Sequence, residues 1–316
     1  MSTLGTDMKL VLHIGMQKTG SSALQHFFHM NQEELRRRGI VYPRLSEFSD
    51  IHFPGVSYHN CVSAFLGDFP STFPSLGPDG LERLLTYINN SESTVLLSAE
   101  DFSRILDLRE LANAFARFRP RIVIYLREQT AWVESMYNQR NKILFERNSD
   151  LLFKKDVLTH QRLFEFLKVE RYTPLLQYDK LLQRWSDVFE AENIIVRPFA
   201  KEEMIGGNLM TDFMASIGID DIRGCTLPPR INENFANGWI KIFQEIDQAC
   251  GREEARRIMS SIEQQAAAEA INVTGPTNIL PNAVRVKMKS DYAEGNRFVA
   301  RTYLNKETLF QLAPSR

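Results

Sequence analysis

Apolar positions along this chain follow two periods that alternate. Short, nearly continuous apolar runs occur at 9–15 (KLVLHIG), 40–43 (IVYP), 94–98 (TVLLS), 121–127 (RIVIYLR) and 193–199 (NIIVRPF). Runs of this length, rich in β-branched residues, read as buried strands. Between them the apolar positions recur at helical spacing. In 21–39, Leu24, Phe27, Phe28 and Leu35 mark one face, and Arg36 to Arg38 before Gly39 signal a helix end. Further helical patterns cover 80–88, 108–118, 130–147 and 173–189. Strands alternating with helices predict a parallel sheet covered on both faces. After residue 205 only helical patterns remain, at 208–217, 235–250, 252–271 and 288–305. The expected fold is α/β, a three-layer parallel sheet flanked by helices. One domain is expected over 1–316, with an α/β core at 8–200 and a helical C-terminal extension at 201–316.

One segment breaks the rhythm. Residues 44–80 are rich in Pro, Gly, Ser, Phe and His and hold at most a short helix near 61–69. Long irregular segments inside compact domains are commonly functional.

Composition narrows the class without choosing a function. The apolar fraction is 43% and the charged fraction 24%, as in ordinary globular proteins. A formal charge of -1 provides no global field for nucleic acid or an anionic membrane, so an anionic ligand needs a local basic site. Three widely spaced cysteines, Cys61, Cys225 and Cys250, fit neither a disulfide framework nor a zinc site. No apolar run reaches the roughly 20 residues that span a bilayer, and no signal peptide stands out. The expectation is a cytoplasmic protein that binds neither nucleic acid nor metal; its oligomeric state is open.

The chemistry begins at 13–22, HIGMQKTGSS. Gly15 and Gly20 keep the four-residue gap of a nucleotide-binding loop, G-x-x-x-x-G-K-[ST]. The residue after the second glycine is Ser21, however, and the lysine lies two places before that glycine, as Lys18. A strand, a glycine-bounded loop and a helix in this order present backbone N–H groups and a helix N-terminus to an anion. Arg127 closes the strand at 121–127, toward the sheet edge where α/β folds bind ligands, and Ser135 lies eight residues on. An arginine there can grip a phosphate through two hydrogen bonds.

HIGMQKTGSSALQ resembles the 5'-phosphosulfate loop of sulfotransferases, enzymes that use PAPS (3'-phosphoadenosine 5'-phosphosulfate). Lys18 to Ser22 match the K-[ST]-G-[ST]-[ST] part of that motif, while Met16 and Gln17 depart from the cytosolic members and resemble bacterial carbohydrate-directed ones. The resemblance implies a P-loop-type fold. It also implies that Gln17, Lys18, Thr19, Gly20, Ser21 and Ser22 hold the phosphosulfate, with Lys18 stabilising the departing oxygen. Arg127 and Ser135 match the arginine and serine with which the family holds the 3'-phosphate. No metal is implied, because a sulfuryl group carries less charge than a γ-phosphoryl and needs cations and N–H groups rather than Mg²⁺. The product would be 3',5'-ADP.

A base must take the acceptor's proton. Glu100, just past the strand at 94–98 in VLLSAEDF, is the first candidate, since an L-S-x-E stretch stands there in the bacterial relatives. His59, within the irregular segment, is the second. Phe53, Tyr58, Phe65, Phe69 and Phe73 are candidates to line an acceptor pocket, and Arg230 and Asn234 to reach the nucleotide or acceptor. Tyr178 and Trp185, at helical spacing, read as core. The resemblance favours a carbohydrate or glycolipid hydroxyl, or an amine, as acceptor. Two rivals stay open: a kinase or NTPase using ATP–Mg²⁺, with TVLLSAED as its acidic strand end, and a binding module without turnover.

Overall fold

The computed structural model describes residues 8–48, 59–68, 74–145, 173–229 and 279–311, together with 242, 245, 246 and 248–269. It is an α/β structure whose five-stranded, all-parallel sheet is flanked by helices, with further helices toward the C-terminus.

The strands are β1 (Leu10–Ile14), β2 (Ile40–Val41), β3 (Thr94–Ala99), β4 (Arg121–Leu126) and β5 (Ile194–Pro198), in the order β2-β3-β1-β4-β5. Every residue of β1 and β3 is buried, which is why both read as continuous apolar runs. The helices between strands are α1 (Ser21–Met30), α2 (Gln32–Arg37), α3 (Asn60–Leu66), α4 (Gly77–Asn90), α5 (Arg109–Phe115), α6 (Gln129–Phe145), α7 (Thr173–Leu176) and α8 (Tyr178–Phe189). After β5 come α9 (Leu209–Ser216), α10 (Arg252–Ala268), α11 (Asn282–Asp291) and α12 (Ala293–Leu304).

Parallel register decides where chemistry can gather. Ile14 pairs with Ala99, and Leu126 pairs with Pro198. The chain therefore leaves β1, β3, β4 and β5 at a single edge of the sheet, through Gly15, Glu100, Arg127 and Phe199. Open α/β sheets bind ligands at this carboxyl edge.

By its internal contacts the chain divides into two compact units. The first comprises Met1–Glu128, Gln177–Ile231 and Ala293–Arg316, and the second Gln129–Leu176 and Asn232–Tyr292. The first holds the whole sheet. Within it α12 packs on α8, where Ser186 Oγ and Tyr303 Oη lie 2.5 Å apart and Gly295 leaves room for Asp179. In the second, the Glu134 carboxylate of α6 accepts from the amides of Ile279 (2.7 Å) and Leu280 (3.0 Å) and from Arg285 Nη2 (2.7 Å).

The helix expected over 21–39 is two helices. Asn31 sits at the break, donating to Phe27 O (2.7 Å) and Thr226 O (2.8 Å) while accepting from Thr226 N (2.6 Å). The 173–189 and 288–305 patterns are likewise each interrupted, between Leu176 and Tyr178 and at Tyr292. The helix expected at 235–250 lies largely outside the described residues. So do the candidates Phe53, Tyr58, Phe69, Phe73, Arg230 and Asn234.

Candidate functional site

The loop between β1 and α1 is built by its own hydroxyls. Thr19 Oγ1 (2.5 Å) and Ser21 Oγ (3.1 Å) both donate to the carbonyl of Met16, and both residues are buried. They shape the turn instead of presenting hydroxyls outward. Gly15 N donates to Ala99 O (3.0 Å), extending the β1–β3 ladder into the loop. Ser103 Oγ donates to the Gly15 carbonyl (3.1 Å) and ties the stretch after β3 to the same turn.

Two loop residues have left-handed backbones, Lys18 with φ 64° and Gly20 with φ 81°. For lysine that conformation costs about 1 kcal/mol, so the loop must hold it in place. At Gly20 the need for glycine is double. A Cβ there would lie 2.4 Å from Leu209 Cδ2 and 3.0 Å from the Phe199 ring. Gly20→Ala should therefore destabilise the fold by about 1–3 kcal/mol, read as a fall in Tm, and should weaken anion binding at the loop.

α1 begins at Gly20 with no side-chain cap among the described residues and no acidic residue in its first turn. The amides of that turn have no intrahelical acceptor. An uncapped helix start beneath a tight turn that carries a lysine fits a bound anion better than it fits a surface turn.

Arg127 reaches this loop. Its Nη1 donates to the Lys18 carbonyl at 3.1 Å, and its guanidinium lies 5.8 Å from the centroid of the Phe199 ring. The Arg127 carbonyl accepts from Tyr178 Oη at 2.5 Å. Lys18 and Arg127 thus meet at one edge of the sheet. Ser135 falls in the second unit; it is buried, and its hydroxyl has no hydrogen-bond partner among the described residues.

Glu100 lies beside the same loop. Ser22 Oγ donates to its Oε1 at 3.4 Å. Burial, reinforced by neighbouring Asp101, pushes its carboxyl up to about 7, against the pull of Lys18 and the Ser22 bond. A carboxylate poised near neutrality suits proton transfer.

His59 requires a correction. It is fully buried, its Nδ1 accepts from Ser98 N (3.0 Å), and its Nε2–H donates to Pro43 O (2.9 Å). Both ring nitrogens are engaged with backbone, and burial drives its pKa down to about 3. This neutral imidazole ties α3 to β3; it is placed as a structural group, not a base. His13 is also buried and neutral, its Nδ1 2.7 Å from Ser98 Oγ, with burial lowering its pKa to about 3.

Four residues at or near the site were not singled out as site residues from sequence: Phe199, Leu209, Tyr178 and Asp212. Only the first could have been guessed, as the residue leaving β5 at the carboxyl edge.

No protein-family model matches the chain. An uncharacterized protein of Archaeoglobus fulgidus is 29% identical over 131 residues, a stretch covering 40% of this chain and 30% of that protein. Among the described residues no helix is long and apolar enough to cross a membrane.

Proposed function

We propose that this chain is a sulfotransferase that moves the sulfuryl group of PAPS to a hydroxyl or amine of a carbohydrate or glycolipid acceptor. The observation that carries the reading is the 3.1 Å bond from Arg127 to the Lys18 carbonyl. It joins, at one sheet edge, two residues that are 109 apart in the chain and that an adenosine bisphosphate would need together.

The residues present fit such a ligand. The turn is tight at Gly20, where a Cβ would crowd Leu209 and the Phe199 ring. α1 begins without a side-chain cap among the described residues. PAPS, when bound, supplies the sulfuryl group and becomes 3',5'-ADP.

The chain's own residues then divide the work. Lys18 and the first-turn amides of α1 place positive charge where the 5'-phosphate end sits, so negative charge developing there is stabilised without reorganisation. Arg127 grips the 3'-phosphate. Glu100 takes the proton of the attacking acceptor group and Ser22 orients its carboxylate. Thr19 and Ser21 hold the turn in shape from within.

Thermal unfolding in the presence of 3',5'-ADP, 5'-AMP and ATP–Mg²⁺ tests the reading. A ligand at 100 times its Kd stabilises the fold by about 2.7 kcal/mol. The largest rise in Tm is expected with 3',5'-ADP. A larger rise with ATP–Mg²⁺ would transfer the site to the kinase or NTPase reading.

A further inference from the structure

Arg127 stands in an unusual relation to the loop it contacts. Its Nη1 holds the carbonyl of Lys18, the non-glycine loop residue with a left-handed backbone. A guanidinium has five N–H donors, and holding one carbonyl takes one of them. Gripping a phosphate and restraining the loop are therefore compatible tasks for a single side chain. The aim of Arg127 is in turn set from behind. Buried Tyr178, at the start of α8, donates its hydroxyl to the Arg127 carbonyl at 2.5 Å. The Phe199 ring lies beside the guanidinium and also against the position a Cβ would take on Gly20. Tyr178, Arg127, Phe199, Lys18 and Gly20 thus form one contiguous chain of contacts.

We infer that Arg127 couples the two anion pockets, with Tyr178 as its positioning residue. This rests on the PAPS reading and adds to it. A group that only bound the 3'-phosphate would matter only to ligands carrying one. A group that also holds the Lys18 backbone matters to the 5' end of every ligand. Occupancy of the 3' pocket fixes the guanidinium, the guanidinium fixes the Lys18 carbonyl, and the loop meets the 5' group already ordered. By linkage the effect is reciprocal. The arrangement favours a nucleotide with both groups over one with either alone.

The test is a set of calorimetric titrations of wild type, Arg127→Lys and Tyr178→Phe with 3',5'-ADP and with 5'-AMP, each variant's Tm recorded alongside. Arg127→Lys keeps the charge but loses the planar fork. Wild type should prefer 3',5'-ADP. Both variants should weaken 5'-AMP, which lacks the 3'-phosphate, by about three- to tenfold, the net worth of one ordinary hydrogen bond. They should weaken 3',5'-ADP by more. Unchanged 5'-AMP affinity in Arg127→Lys, with 3',5'-ADP weakened, would reduce Arg127 to a simple ligand and overturn the coupling while leaving the PAPS reading intact. Wild type with no preference for 3',5'-ADP would remove that reading and the coupling together. If Arg127→Lys fails to fold, Tyr178→Phe decides: it keeps the buried ring, and mere packing by that ring predicts no change in either affinity.

Discussion

Glu100→Gln is expected to lose turnover by about 10²–10⁴-fold while leaving 3',5'-ADP affinity unchanged, and to make the protein more stable above pH 7. The two halves of this result have one cause. Burial and Asp101 hold the carboxyl at about 7, against an ordinary value of 4.5. A base raised this far accepts a proton more readily, yet its ionised form is a burden on the fold. The sign follows from proton binding. Between about 4.5 and 7 the folded chain holds a proton at Glu100 that the unfolded chain has released, so stability falls as pH rises through that window. At about 1.36 kcal/mol for each tenfold change, the ionised group costs up to about 3 kcal/mol. Glu100 is only partly buried, so solvent screening brings the expected gain in Glu100→Gln to about 1–2 kcal/mol at pH 8. At pH 4, where both proteins carry a neutral group, the gain should vanish. The kcat/KM of wild type should rise through pH 7 in parallel, as the base ionises. Denaturant melts at pH 4 and 8, with initial rates across the same range, measure both. Unchanged turnover in Glu100→Gln would remove it from the chemistry, whatever happened to stability.

The same residues show why part of this site was legible in sequence and part was not. The five strands were readable because a fully buried parallel strand has no polar alternation to obscure it, as in LVLHI and TVLLSA. The gathering of Lys18, Glu100 and Arg127 at one edge was readable because each follows a strand, and parallel strands end at one edge. The split at Asn31 was not, since the side chain that closes it bonds to Thr226, 195 residues away. Nor was the role of His59. In sequence it is a titratable group in a polar loop; in the fold its two nitrogens join Pro43 to Ser98 and leave no lone pair for an acceptor. Thr19 and Ser21 match a phosphate motif, yet their hydroxyls serve the turn itself. Each of the two units is assembled from separate stretches of chain, and no composition shift marks where the chain passes from one to the other.

Asp212→Ala should be the most damaging single change to the fold, costing about 3–5 kcal/mol, and the site should suffer with it. Asp212 is fully buried on α9 and its carboxylate is saturated. Oδ2 accepts from Tyr125 Oη (2.7 Å) and Arg197 Nε (2.9 Å), while Oδ1 accepts from Ile205 N (2.8 Å) and closely from Arg197 Nη2. Removing it leaves a largely buried guanidinium and a buried phenol without their acceptor, and each is costly to strand. The position of the node extends the damage. Tyr125 and Arg197 are register partners on β4 and β5. Arg127 and Phe199 follow them by two residues, the period at which side chains leave a strand on the same side. The helix bearing Asp212 also carries Leu209, whose side chain fills the space against Gly20. Asp212 thus fixes, from below, the strand ends that aim Arg127 and Phe199 and the helix that supports the loop. Asp212→Asn keeps the shape and some acceptor capacity but loses the charge opposite Arg197, and should cost less than Asp212→Ala. Equilibrium urea unfolding of both variants gives the stability difference. Titration of whatever folded Asp212→Asn remains with 3',5'-ADP should show weakened binding even at temperatures well below its melt. Full affinity there would mean that the buried ion pair supports the core alone and that the phosphate pockets are held by other means.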